Sequence, residues 1–314
     1  MTVKDIFDLR KQGMVEEAYE AIRPMYATHK GKYTTLCMFW TASDMMKKRL
    51  QEGQTAEAAK IFEALMRILP NIDDSDGKGH QALLHGALRM KEVLPTFSML
   101  DFISRYGVDH LTDSDWKGSM STPKEGSNER PHPLPSTAQR LMTHCFHELQ
   151  QHPDSDHAAM AMPLMQEASR RMPRDKHTRR YLAVAHHLAG DDEKAAAIYR
   201  ELLKRSHDSY LYAELAEMTS EPGPKTALMC QAIMNQRQEK FCTGYRLALV
   251  RLLAGHDDNR AAYELERCIA IRQKEGYKMP FAIQRLQGQL NPTRRVTDAE
   301  QRNFYRRMAE KYPV

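Results

Sequence analysis

The sequence predicts an all-α protein built from antiparallel helix pairs, and three observations predict it. Apolar residues recur with a helical rather than an alternating period along most of the chain. Val and Ile are sparse beside Leu, Ala and Met, and 20 of the 314 residues are Met, a mixture that favours helix over strand. Glycines recur as joints between two apolar stripes, each followed at a fixed distance by a small residue.

The joints come in order along the chain. In KQGMVEEAYEAIRPM, Gly13 is followed by Ala18, Ile22 and Met25, a weak copy of the pattern. In LQEGQTAEAAKIFEALMRILP, Gly53 is followed by Ala58, Phe62 and Leu65 at offsets of five, nine and twelve, and Pro70 ends the unit. In AGDDEKAAAIYRELLKRS, Gly190 is followed by Ala195, Tyr199 and Leu202 at the same offsets. Gly255 ends a good first helix, and its second helix is displaced by one, with Ala261, Leu265 and Ile269. The offsets have a physical reading. Glycine takes the left-handed turn between two helices, Asp191 and Asp192 can cap the second helix, and alanine lets the pair approach closely. The larger residues fill the space between. One pair cannot bury its apolar face alone, so pairs must stack. Gly53 and Gly190 are 137 residues apart, close to four units of about 34.

Other segments depart from this rhythm. GHQALLHGALRM and PTFSMLDFISRYG predict two further helices, and 208–237 predicts a short helix followed by a Gly-Pro turn at Gly223 and Pro224. Residues 107–135 form a long polar loop rich in Ser, Pro, Gly and charge, with Trp116 expected to pin it to the helices. Two capping boxes mark helix starts, Ser136 with Gln139 and Thr297 with Glu300. The expected organisation is an N-terminal helical array over 1–106, the loop as a junction over 107–135, a C-terminal array over 136–290, and a basic capping helix over 291–314.

These spacings resemble the tetratricopeptide repeat over roughly residues 1–70 and 136–275. The aromatic that the family carries at its fourth position is Arg179 in the best copy, and its eleventh-position tyrosine is His186. The segments DLRKQG and EEAYEAI, with a later DW pair, also resemble bacterial repeat proteins of unassigned role. The resemblance implies a TPR-like right-handed superhelix, an α-solenoid, with a concave groove lined by the first helix of each pair. Carried over residue by residue, the groove positions are Trp40, Ser43, Lys47 and Leu50, then His177, Arg180, Val184 and His187. The family's chaperone-tail clamp also needs asparagines, and none stands in either set. Trp40, flanked by an apolar run, reads as core ahead of groove anchor.

Charge and motifs narrow the function classes. The net charge of +5 permits acidic partners without demanding nucleic acid. No apolar signal core follows the N-terminus, and no run is apolar and long enough to span a membrane. The five cysteines are scattered and form no CxxC pair, which points to reduced thiols in a cytoplasmic protein. No phosphate-loop, dinucleotide or nucleophile-elbow motif occurs. In HCFHELQQH the zincin spacing is absent. His144, Glu148 and His152 share one helical stripe, where they read either as metal ligands or as a polar flank beside Leu141, Cys145 and Leu149. The 71–80 loop lacks acidic residues where a calcium loop needs them, at Ile72 and Leu83.

The leading expectation is therefore a non-enzymatic scaffold, with neither cofactor nor metal, that binds a protein or peptide segment in its groove. The alternative is a nucleic-acid-binding module that uses the basic clusters 170–180 and 294–311.

Overall fold

The computed structural model describes residues 1–122 and 130–314; part of the predicted polar loop, 123–129, lies outside the described residues. The chain is all-helical, with sixteen α-helices and one two-stranded ribbon of two residues per strand among the described residues. It divides into two compact units, Met1–Arg171 and Met172–Val314.

The first unit holds α1 (Val3–Lys11), α2 (Val15–Thr28), α3 (Lys32–Gln51), α4 (Thr55–Ile68), α5 (Lys78–Val93), α6 (Met99–Tyr106), α7 (Thr137–Gln151) and α8 (Ser155–Arg171). The predicted loop lies inside this unit, between α6 and α7, and helices on its two sides pack together. Within the loop, β1 (Ser119–Met120) pairs antiparallel with β2 (Pro133–Leu134), Ser119 facing Leu134. Trp116 is half-buried under the Arg171 guanidinium, 5.3 Å from its ring centre. Arg171 also reaches Asp113 at 2.7 Å, so the loop is fastened to α8 at two points.

The second unit holds α9 (Lys176–Leu188), α10 (Asp192–Leu203), α11 (Ser209–Glu217), α12 (Pro222–Asn235), α13 (Thr243–Leu253), α14 (Asp258–Lys274), α15 (Phe281–Gln289) and α16 (Asp298–Lys311). Its core runs through Tyr199, Leu211, Cys230, Leu249 and Cys268 to Tyr305. α16 packs on α12.

The pairs α1/α2, α3/α4 and α9/α10 are joined alike. Gly13, Gly53 and Gly190 have φ of +82°, +74° and +83°. At Gly190 its own N–H donates to His187 O at 2.9 Å and the Asp191 N–H donates to His186 O at 2.8 Å, the paired closure that satisfies the last carbonyls of a helix. Gly13 and Gly53 repeat both bonds with their own neighbours. The small residue five positions on is fully buried each time: Ala18, Ala58 and Ala195 are all 0% exposed. The Gly255 joint closes differently, with the N–H groups of His256 and Asp257 both donating to Leu253 O, which matches its displaced second helix.

One predicted turn is corrected. Gly223 and Pro224 do not form a turn; they lie in the first turn of α12, after Pro222. Proline is tolerated there because the first N–H groups of a helix have no intrahelical acceptor. Both predicted capping boxes are present, and Thr2 with Asp5 forms a third.

Candidate functional site

The positions predicted to line a groove in the first unit lie on α3, half of whose residues are buried. Ser43 is 1% exposed and its hydroxyl has no partner among the described residues, so it faces the interior. Trp40 is half-buried, edge-on to Phe39 at 5.2 Å, with the Arg10 guanidinium 5.6 Å from its ring centre. Arg10 in turn donates to Asp44 at 2.6 Å, and Asp44 also accepts from Lys47 at 3.1 Å. Trp40 and Lys47 thus belong to one polar-aromatic cluster that ties α1 to α3.

The second-unit positions lie on α9. His177 is exposed, while Arg180, Val184 and His187 are half-buried. Arg180 Nε donates to both Glu214 oxygens, at 3.1 and 2.9 Å, and its Nη2 donates to the same carboxylate. Its guanidinium also lies 4.7 Å from the Tyr210 ring centre. Glu214 Oε2 accepts from the Tyr199 hydroxyl at 2.8 Å. Burial pushes the Tyr199 phenol well above its ordinary value, and the Glu214 carboxylate adds to the shift. A carboxylate of this chain thus holds the arginine that the sequence offered as a carboxylate receptor, and His187 is paired with Asp192.

On the stripe of His144, Glu148 and His152, the carboxylate is already engaged within the chain. Glu148 is 7% exposed, so it is not part of a polar flank. Its Oε1 accepts from Lys91 Nζ at 2.6 Å and Met99 N at 2.8 Å; its Oε2 accepts from Ser98 Oγ at 3.0 Å and Leu100 N at 3.1 Å. It caps the start of α6, where the N–H groups lack intrahelical acceptors. Burial pushes this carboxyl up, but Lys91 and the two backbone donors together hold it below its ordinary value. No group of three or more potential metal-ligating side chains occurs among the described residues.

The two basic clusters differ once their partners are counted. Arg170 and Arg171 bind Glu167, Lys176 binds Asp208 and Arg180 binds Glu214. At the C-terminus, Arg294 binds Glu300. Arg295, Arg302, Arg306 and Arg307 are exposed and make no ion pair among the described residues.

A third group was not read from the sequence. Glu264, 0% exposed on α14, accepts from Arg246 Nη1 at 2.6 Å, Gln301 Nε2 at 2.6 Å and the Tyr305 hydroxyl. It ties α13, α14 and α16 together. Its signal in the sequence was a lone glutamate on the apolar stripe of Ala261, Leu265 and Cys268.

No helix among the described residues is long and apolar enough to cross a membrane. Among curated proteins no match is found. A family described as a domain of unknown function (DUF7017) matches residues 178–311, from the third residue of α9 to the end of α16.

Proposed function

We propose that the chain is a non-enzymatic, cytoplasmic helical-repeat scaffold of the tetratricopeptide kind. Its helix pairs stack as a right-handed superhelix, and it binds a protein or peptide segment along the first helices of those pairs. The observation that carries this reading is a side-chain bridge at the repeat's own spacing. Arg10 on α1 reaches Asp44 on α3, and Arg180 on α9 reaches Glu214 on α11, each across 34 residues. A bridge of one period links equivalent positions of successive units. The recurrent glycine joint and its buried alanine support the same reading. Trp40, His177 and Val184 stand beside these bridges and make no ion pair among the described residues, while Lys47 and His187 would exchange Asp44 and Asp192 for a partner.

The test is an affinity pull-down from the native host, divided in two, with nuclease added to one half. A protein recovered at stoichiometric level from both halves is the expected result. Recovery of no protein at that level would reject the scaffold.

A second reading is favoured by Arg295, Arg302, Arg306 and Arg307 in the segment 294–311, which are exposed and make no ion pair among the described residues. In this reading the segment contacts nucleic-acid phosphates. Affinity would then fall steeply between low and physiological salt, and binding no tighter than millimolar at low salt would dispose of it.

A further inference from the structure

We infer that a cleft between α12, α13, α14 and α16 is a binding site for a phosphate monoester. It uses none of the residues on which the scaffold reading rests. The cleft has a volume of about 310 Å³, at the small end of the range for ligand sites. Four arginines line it, Arg246, Arg267, Arg302 and Arg306, against one carboxylate, Asp298. Asp298 is itself engaged, accepting from the Tyr263 hydroxyl at 3.0 Å.

The arginines divide into two kinds. Arg246 and Arg267 are held from behind. Arg246 is 7% exposed and bound to Glu264, and Arg267 donates to Glu239 at 2.7 Å. The Nε of each is buried and has no hydrogen-bond partner among the described residues. Arg302 and Arg306 stand at the rim, exposed and without an ion pair among the described residues. They lie four apart on α16, so one helical face presents both, with Tyr305 between them. A cationic floor held from behind by carboxylates and a rim of two guanidinium groups without ion pairs among the described residues is an arrangement that recognises an oxyanion with several acceptor oxygens. Two unpaired cations favour a doubly charged anion over a single charge. The remaining wall is apolar and aromatic: Ile233, Met234 and Tyr263 line it, and Met234 is 41% exposed. That wall suits the organic body of an ester better than a bare ion.

Arg307 supplies the control. It is exposed on the same helix and does not line the cleft. Isothermal titration calorimetry of the full chain would use phenyl phosphate, with benzenesulfonate as a singly charged aryl oxyanion of similar size. Phenyl phosphate should bind saturably and at least about tenfold more tightly than benzenesulfonate. Arg302→Ala and Arg306→Ala remove solvent-facing side chains and leave the fold intact. Each should weaken phenyl phosphate binding about tenfold, with Arg307→Ala unchanged. Such rim losses match the removal of a charge-assisted bidentate contact. Ribose 5-phosphate and a capped phosphotyrosine peptide distinguish a free metabolite from a modified partner; tighter binding of either identifies the source. Absence of saturable phenyl phosphate binding up to about 10 mM, equal affinity for benzenesulfonate, or an equal loss in Arg307→Ala would overturn the assignment.

Discussion

Replacing Glu148 by alanine should unfold the first unit far more readily than any surface change. The carboxylate accepts four hydrogen bonds, from Lys91, Ser98, Met99 and Leu100. Ser98 keeps a role without it, since its hydroxyl still accepts from Asp101 N, and Lys91 keeps the carbonyls of Pro95 and Phe97. The N–H groups of Met99 and Leu100, both 0% exposed residues, lose their acceptor. Each unsatisfied buried donor costs about 1–3 kcal/mol, and breaking a buried ion pair from one side costs about 3–5 kcal/mol in all. A loss of about 3–5 kcal/mol is therefore expected, on the order of 10 °C in Tm for a unit of this size. Both tryptophans, Trp40 and Trp116, lie in the first unit, so tryptophan emission during urea denaturation follows that unit. Replacing both Lys91 and Glu148 with Met should recover little, because the backbone donors stay orphaned and the carbonyls of Pro95 and Phe97 lose Lys91 as well. The carboxyl titrates below its ordinary 4.5 in the folded state. Its contribution is thus fully present above that value and fades as pH falls through the folded value, whereas Glu148→Gln removes this acid sensitivity. A Glu148→Ala loss under about 1 kcal/mol would refute the assignment of Glu148 as the cap that holds α6, since neither the orphaned donors nor the broken ion pair would then carry their expected cost.

Three further outcomes are expected. Gly190→Ala should cost about 1–2 kcal/mol through backbone strain alone, because φ is +83° and an added Cβ meets nothing within 4 Å; Gly244→Ala, in helical α13 with equally open space, should stabilise by about 0.5–1 kcal/mol, and far-UV circular dichroism melts compare the two. Ala195→Leu should lose at least about 1–3 kcal/mol by overpacking at a 0% exposed contact between paired helices, measured by the same melts. All five cysteines are buried, and burial pushes the Cys145 thiol well up, so a thiol reagent at neutral pH should label the native protein slowly and all five sites after denaturation; rapid native labelling would contradict the burial.

The parts of this fold that were legible in the sequence are those set by near neighbours. A left-handed glycine, a cap three residues from its partner and a small residue five past the joint are local requirements, and they recur at Gly13, Gly53 and Gly190. The capping boxes at Ser136 and Thr297 were legible for the same reason. Glu148 was not, because its partners lie 48 to 57 residues away and its helical stripe alone places it beside two histidines. Gly223 and Pro224 misled because a turn and the first turn of a helix share composition; what separates them is the residue that follows, and Ala227, Leu228 and Cys230 continue a buried helical face. The arginine cleft was half legible. Asp298, Arg302, Tyr305 and Arg306 stand at helical spacing, but Arg246 and Arg267 reach the same place only through tertiary packing.

The two basic clusters looked equivalent by count, and internal pairing separates them. In 170–180 an acid stands within reach of most cations, either three or four residues away, as Glu167 is from Arg170 and Arg171, or 34 residues away, as Glu214 is from Arg180. Such charges are largely neutralised before any ligand arrives, and an incoming anion must first displace a carboxylate. On α16 the early acids are engaged elsewhere: Glu300 accepts from Thr297 and Arg294, and Asp298 accepts from Tyr263. Arg302 and Arg306 are therefore left without an ion-pair partner among the described residues. Attraction for an anion follows the charge that remains after the fold has paired its own groups, not the number of arginines in a stretch. By that measure the second unit's anion-binding capacity lies at α16, and substitutions at Arg302 and Arg306 should change ligand affinity while those at Arg180 change how α9 is held to α11.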